Sequence, residues 1–198
     1  IVGHHPVDAG SVRFEGREIS RLRVPEIARL GLLRTFQQTR VYGGMTCVEN
    51  MAISVPTSGL GWRSMFQRTP EPDLRKADEL LEFVGLFPKR HLRAGDLSFG
   101  QQKLLELAMA LMSGPRMLLL DEPTAGINPT LINGLLDRLR KVNEQFGITL
   151  LVIEHNMRVI MELVQYVYCL AHGELLAEGT PGQIRQDPRV LDAYLGAR

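Results

Sequence analysis

A strand–helix–strand alternation between residues 117 and 170 constrains this chain more than any other feature in it. Leu118-Leu119-Leu120 is an unbroken apolar run that ends on two acids, Asp121-Glu122. Ile148-Thr149-Leu150-Leu151-Val152-Ile153 is almost continuously apolar or β-branched and ends at Glu154-His155. Runs of this kind suit strands covered on both faces, the usual condition of parallel sheets. Between them Leu131, Ile132, Leu135, Leu136, Leu139 and Val142 recur at helical spacing, with Asn128 placed to cap, Pro129 to start and Gly147 to end a helix. A helix over 156–164, a strand over 166–170 and a hairpin around Gly173 follow. The alternation predicts an α/β fold with a mostly parallel sheet.

The upstream half is richer in helix and turn signals. Ser11-Val12-Arg13-Phe14, before Gly16, reads as a short half-exposed strand. Pro25 suits the first turn of a helix with Ile27, Ala28 and Leu30 on its apolar face and Gly31 at its end. Leu32-Leu33-Arg34-Thr35-Phe36-Gln37 reads as a strand finishing on an amide, and residues 40–44 as loop. Thr46 and Glu49 form a capping box for a short helix. Residues 56–72 break the pattern: glycine, proline and polar residues surround an isolated apolar set, Leu60, Trp62, Met65 and Phe66, as in a surface insertion. Asp73 is placed to cap the next helix, whose apolar face is Leu74, Ala77, Leu80, Leu81 and Val84 and which Gly85 ends. This segment predicts a helical layer outside the sheet.

Totals exclude several classes. With 44% hydrophobic and 23% charged residues in 198, the chain has the composition of a folded globular domain. A net charge of +1 supplies no general field for nucleic acid, and none is expected as a partner. No apolar run reaches the ~18 residues of a membrane-spanning helix. Cys47 and Cys169 stand far apart without metal-ligand spacing, which predicts two reduced thiols in a reducing compartment.

The chemistry concentrates at the ends of predicted strands and at one helix start. Asp121 can hold Mg²⁺ and Glu122 can polarise an attacking water, since ligands bind at the carboxyl ends of strands in open α/β sheets. The pair is equally readable as surface acids before the turn at Pro123. In Leu97-Ser98-Phe99-Gly100-Gln101-Gln102, Ser98 can simply cap a helix beginning near Phe99. Its hydroxyl, the Gly100 N–H and the helix N-terminus can also form an anion site for a terminal phosphate. His155 and Gln37, each at a strand end, are open between ordinary surface roles and contacts to a γ-phosphate or to Mg²⁺.

Taken in order, Gln37, Leu97 to Gln101, Leu118 to Glu122, Asn128 and His155 resemble the nucleotide-binding subunit of an ABC transporter. The resemblance covers the whole chain and implies a P-loop NTPase-like fold with a helical subdomain, approximately residues 39–113, inserted in it. It implies that Gln37 is the Q-loop glutamine and completes the metal shell. Ser98, Phe99, Gly100 and Gln101 are then the signature, Asp121 the metal-holding acid of the Walker B strand and Glu122 the catalytic carboxylate. Ala125-Gly126-Ile127-Asn128 resembles the D-loop, with Asn128 where many members carry Asp, and His155 resembles the switch histidine. Leu33 to Gln37, the insertion with Trp62, Ile153-Glu154-His155-Asn156-Met157 and Ala193-Tyr194-Leu195-Gly196 are most similar to ATP-binding subunits of branched-chain amino acid importers. Urea and amide importers and the lipopolysaccharide exporter share part of that pattern.

One part of such a site is missing. G-x-x-x-x-G-K-[ST], whose backbone N–H groups cradle phosphates, occurs nowhere. The four lysines, Lys76, Lys89, Lys103 and Lys141, neither follow glycine nor precede serine or threonine. Ile1-Val2-Gly3 resembles the end of the helix after that loop, as if the chain began about forty residues into the domain, without its N-terminal strands. The expectation is an ATP- and Mg²⁺-dependent ATPase subunit of an importer, here a fragment that does not hydrolyse ATP alone. The alternatives are a non-enzymatic partner lending its signature to an intact subunit, and a scaffold without nucleotide. The resemblance further implies a head-to-tail dimer with a second ATP-binding subunit and contact with membrane permease subunits through Tyr42 and the 73–85 helix. It implies indirect service to a periplasmic or extracellular solute-binding protein, and a peripheral place on the cytoplasmic face of the membrane.

Overall fold

The computed structural model describes residues 1–35, 40–55 and 70–195. Gln37, the insertion residues Leu60, Trp62, Met65 and Phe66, and Gly196 lie outside them. Two compact units make up the chain, Ile1–Ile153 and Glu154–Arg198.

The first unit is built on a three-stranded parallel sheet ordered β3 (Leu32–Arg34), β4 (Met117–Asp121), β5 (Thr149–Ile153). Met117 pairs with Leu32 on one side and Thr149 on the other. The central β4 buries Leu118, Leu119 and Leu120 because it has a neighbour on each edge and a layer on each face. On one face Leu119 and Leu32 join Val2, Ile19 and Ile27 in a cluster. That cluster carries the antiparallel pair β1 (Arg13–Phe14) and β2 (Arg17–Glu18), and helix α1 (Val24–Arg29), which has Pro25 in its first turn, where its fixed φ is favoured. On the other face Leu120 meets Leu107 of α4 (Phe99–Met112) and Leu135 and Leu139 of α5 (Pro129–Phe146).

Helix α5 follows its sequence signals closely. The Asn128 side chain accepts a hydrogen bond from the Thr130 N–H at 3.0 Å, and Gly147 ends the helix in the left-handed region at φ 67°. Leu135, Leu136, Leu139 and Val142 are buried, each worth about 1.5–3 kcal/mol. Leu131, expected on that face, is 46% exposed in the first turn, where its tip reaches Gly100 of α4.

Helices α2 (Cys47–Ile53), α3 (Glu71–Phe83) and α4 pack on one another as the helical layer. Thr46 and Glu49 form the expected capping box: the Thr46 N–H donates to Glu49 Oε2 at 2.7 Å and the Glu49 N–H to Thr46 Oγ1 at 3.3 Å. Fully buried Asn50 accepts from the Tyr42 N–H at 2.8 Å and donates to Thr46 O at 2.9 Å, which fixes the loop that displays Tyr42. Asp73 does not cap α3. Pro70 takes that position, and Asp73 sits in the first turn, where a carboxylate still complements the helix dipole.

Of the strand expected over 32–37, the described residues give β3 to Arg34, with the Thr35 N–H still reaching Leu119 O at 2.9 Å; Phe36 and Gln37 lie outside the described residues. Strand β5 is less covered than expected: Leu150, Leu151 and Val152 are half-buried and Ile153 is 56% exposed, and among the described residues the strand pairs on one edge only.

The second unit holds α6 (Met157–Leu163), the antiparallel pair β6 (Val167–Ala171) and β7 (Glu174–Gly179), α7 (Pro181–Gln186) and α8 (Pro188–Leu195). His172 and Gly173, at φ 52° and 83°, make the hairpin turn, since positive φ at both central residues matches strand twist. Cys169, Ala177, Ile184 and Val190 form its small core. Strand β6 starts one residue later than expected, leaving Tyr166 outside it.

Candidate functional site

Ser98 caps α4 in a reciprocal box: its N–H donates to Gln101 Oε1 at 3.1 Å, and the Gln101 N–H donates to Ser98 Oγ at 3.4 Å. Gln102 anchors the approach to this turn, donating to Ala94 O at 3.1 Å and Leu97 O at 3.3 Å. Ser98 itself is exposed, so the positive end of a fourteen-residue helix faces solvent beside a free hydroxyl lone pair.

The next two residues are packed against the turn after β4. A Cβ on Gly100 would stand 2.9 Å from Leu131 Cδ1, and one on Gly126 would stand 3.0 Å from Phe99 Cε1. Helix α4 therefore lies close to residues 126–131, with the Phe99 ring on Gly126 and Leu131 over Gly100. Lys103 Nζ is 5.8 Å from the Phe99 ring centre. The structure thus brings together Phe99, Gly100 and the segment ending at Asn128. The close approach that Gly100 permits is made to Leu131, a contact independent of any ligand.

Asp121 closes β4 and Glu122 begins the turn. Glu122 holds φ 45°, an uncommon value for a residue with a side chain. Backbone bonds keep it there: its N–H donates to Ile153 O at 2.9 Å, and its carbonyl accepts from the Ala125 N–H at 3.0 Å. Asp121 is not bare. Arg34 Nη2 lies 2.7 Å from its Oδ2. Arg34 escaped sequence reasoning because its partner is 87 residues away; a lone charge at the end of an apolar strand was the available signal.

Behind this turn a cavity of about 20 Å³ is lined by Thr35, Lys103, Glu106 and Pro123 among others. Lys103 and Glu106 are buried there. It has room for one water and falls far short of the several hundred Å³ a nucleotide needs.

His155 lies two residues beyond β5 in the chain, in the second unit, exposed, next to Asn156, whose side chain caps α6 by accepting from the Arg158 N–H at 3.1 Å. Among the described residues no group of three or more His, Cys, Asp or Glu could hold a metal, and no helix is long and apolar enough to cross a membrane. A single strand-end carboxylate is nonetheless a fitting donor for Mg²⁺, which commonly takes one or two carboxylates and completes its shell with phosphate and water. The cationic Arg34 seated on Asp121 shows that this carboxylate stabilises positive charge.

Two family models match the chain: an ABC transporter model over residues 1–125, and a branched-chain amino acid ATP-binding cassette transporter model over 174–198. The high-affinity branched-chain amino acid transport ATP-binding protein BraF of Pseudomonas aeruginosa is 37% identical over 99% of this chain and 80% of its own length. LivG of Escherichia coli K12, with the same description, is 34% identical over 99% of this chain and 80% of its length. The ATP-binding cassette MJ1267 in its ADP conformation superposes with a TM-score of 0.85 at 32% identity, covering 100% of this chain and 81% of that one.

Proposed function

Because this chain belongs to the ABC transporter family of ATP-binding proteins, we propose that it is the ATP-binding subunit of a branched-chain amino acid importer. The observation that carries the substrate class is its similarity, over 99% of its length, to BraF and LivG, supported by the match of residues 174–198 to the branched-chain model.

Each site residue has a role on this reading. Asp121 at the carboxyl end of β4, with Gln37, would hold Mg²⁺, which would supply neutralisation of phosphate charge. Glu122, aimed by its left-handed backbone, takes the proton of an attacking water, a contribution of roughly 10²–10⁴ in rate. His155 takes the part of the switch histidine. Ser98 Oγ, the Gly100 N–H and the exposed start of α4 receive the terminal phosphate of ATP held by a neighbouring subunit. Phe99, Gln101 and Asn128 shape the rim, since Phe99 rests on Gly126 and Gln101 closes the Ser98 box. Residues 39–113 act as the helical subdomain, with Tyr42, 59% exposed on the loop fixed by Asn50, turned to the permease. The subunit works peripherally at the cytoplasmic face, in a head-to-tail dimer, and reaches the solute-binding protein only through the permease.

The sequence given contains no phosphate loop, and the chain spans about 80% of BraF. We therefore propose that this chain alone does not hydrolyse ATP and that its signature serves an intact subunit. Purified chain is expected to show no Mg²⁺-dependent ATPase activity; activity that disappears on Glu122→Gln overturns this. Mixed with an intact ATP-binding subunit, wild-type chain is expected to raise retention of labelled ATP, while Ser98→Arg does not. Co-purification with urea or lipopolysaccharide permease subunits, rather than branched-chain ones, overturns the substrate class.

A further inference from the structure

Arg34 closes β3 and sits in register with Leu119 of β4. Side chains two apart on a strand share a face, so Leu119 and Asp121 project from the same side of the sheet, and Arg34 reaches the carboxylate along the diagonal. The Nη2–Oδ2 separation of 2.7 Å is that of a charge-assisted hydrogen bond. Only the parallel ladder makes this possible, since the pair spans 87 positions. The side chains are 34% and 23% exposed: open enough for a hydrated ion to approach the carboxylate, and too open for the pair to be a buried structural clamp. Asp121's cross-strand neighbour on β5 is Ile153, which carries no charge.

We propose that Arg34 is a built-in counter-cation for Asp121, which competes with a divalent cation for the carboxylate and gives it up when the metal arrives. This rests on the reading of Asp121 as the metal-holding acid. Arg34 is a positioning residue: it acts through its contact with Asp121. The competition is set by charge and geometry.

The test uses Mn²⁺ alone as probe, with free Mn²⁺ followed by electron paramagnetic resonance at low ionic strength on the full chain. Arg34→Gln is expected to bind Mn²⁺ about three- to tenfold more tightly than wild type, the range a partly exposed ion pair supports. Arg34→Lys is expected near wild type, and Arg75→Gln, an exposed arginine of α3, controls for net charge. Asp121→Asn and Arg34→Gln/Asp121→Asn are expected to bind no better than wild type. Equal affinity of Arg34→Gln and wild type, with Asp121→Asn weaker than both, overturns the counter-cation and leaves the metal-holding role of Asp121 intact. A gain that persists in the double variant, or no binding by any variant, overturns both. Mn²⁺ is also expected to raise the thermal midpoint of Arg34→Gln more than that of wild type, a readout that separates metal competition from damage to the fold.

Discussion

At the scale of the residue, two glycines beside the Ser98-capped turn make different demands. Gly126 sits at φ 73° with the Phe99 ring where a Cβ would go. Gly126→Ala is therefore expected to cost about 1–2 kcal/mol in urea unfolding from its backbone alone, and Gly126→Ala/Phe99→Ala should recover only the ring's share. Full recovery in the double variant would show that the left-handed backbone carries no cost. Gly100 lies within α4, where alanine gains ~1 kcal/mol over glycine, and its only clash is with the tip of half-exposed Leu131. Gly100→Ala is expected to leave stability within about 1 kcal/mol of wild type, so a loss of ATP retention in the mixed assay would report the phosphate contact and not the fold. The thiols give a third check. Burial pushes both Cys47 and Cys169 above the ordinary thiol value, so little thiolate forms at pH 8. Alkylation is expected to be slow for the native chain and rapid in denaturant; rapid native labelling at either site would refute their burial.

At the scale of the element, the caps were the most legible part. Thr46, Ser98 and Asn128 each cap the helix that local sequence assigns to them, because a cap is a contact between residues two or three apart. Asp73 misled because Pro70 and Pro72 already satisfy the start of α3 without a side-chain cap. Coverage of β5 was not legible, since an apolar run reports what a strand can bury and not which neighbours it has. The Arg34–Asp121 pair depends on register across the sheet, which no local pattern encodes. The α2 box is testable by pH. Hydrogen bonding from the Thr46 backbone N–H, then from its side chain, holds the Glu49 carboxyl below its ordinary 4.5. A lowered carboxylate value stabilises the fold fully above the unfolded value and loses that contribution as pH falls through the folded one. The protection of α2 amides, taken relative to their intrinsic exchange rate at each pH, is therefore expected to fall below about pH 4.5, and Glu49→Gln should remove that dependence. Thr46→Ala is expected to cost about 1 kcal/mol at neutral pH; an unchanged urea midpoint would refute the cap.

At the scale of the whole molecule, the two units differ in what they bury. In the first, β4 has a strand on each side and Leu118 and Leu120 almost wholly enclosed between layers. In the second, the buried apolar residues among those described are Val159 of α6 and the cluster Cys169, Ala177, Ile184 and Val190, of which Val159, Ile184 and Val190 are large enough to contribute about 1.5–3 kcal/mol each. Ordering each residue's backbone costs about 1–2 kcal/mol, so so small a core leaves the β6–β7 hairpin with little reserve against local opening. One of its faces adds nothing, for Tyr168, Leu170 and Leu175 are 61%, 63% and 54% exposed. Local opening free energies differ across a structure in this way when buried contacts do. In hydrogen exchange followed by mass spectrometry, amides of β6 and β7 are expected to exchange at least about 100-fold faster than those of β4. Ile184→Ala should accelerate exchange in β6 and β7 further and leave β4 unchanged. If both regions instead exchange at one rate and Ile184→Ala accelerates them together, the chain opens as a single cooperative body, and the independence of the unit holding His155 from the unit holding Asp121 and Glu122 is lost.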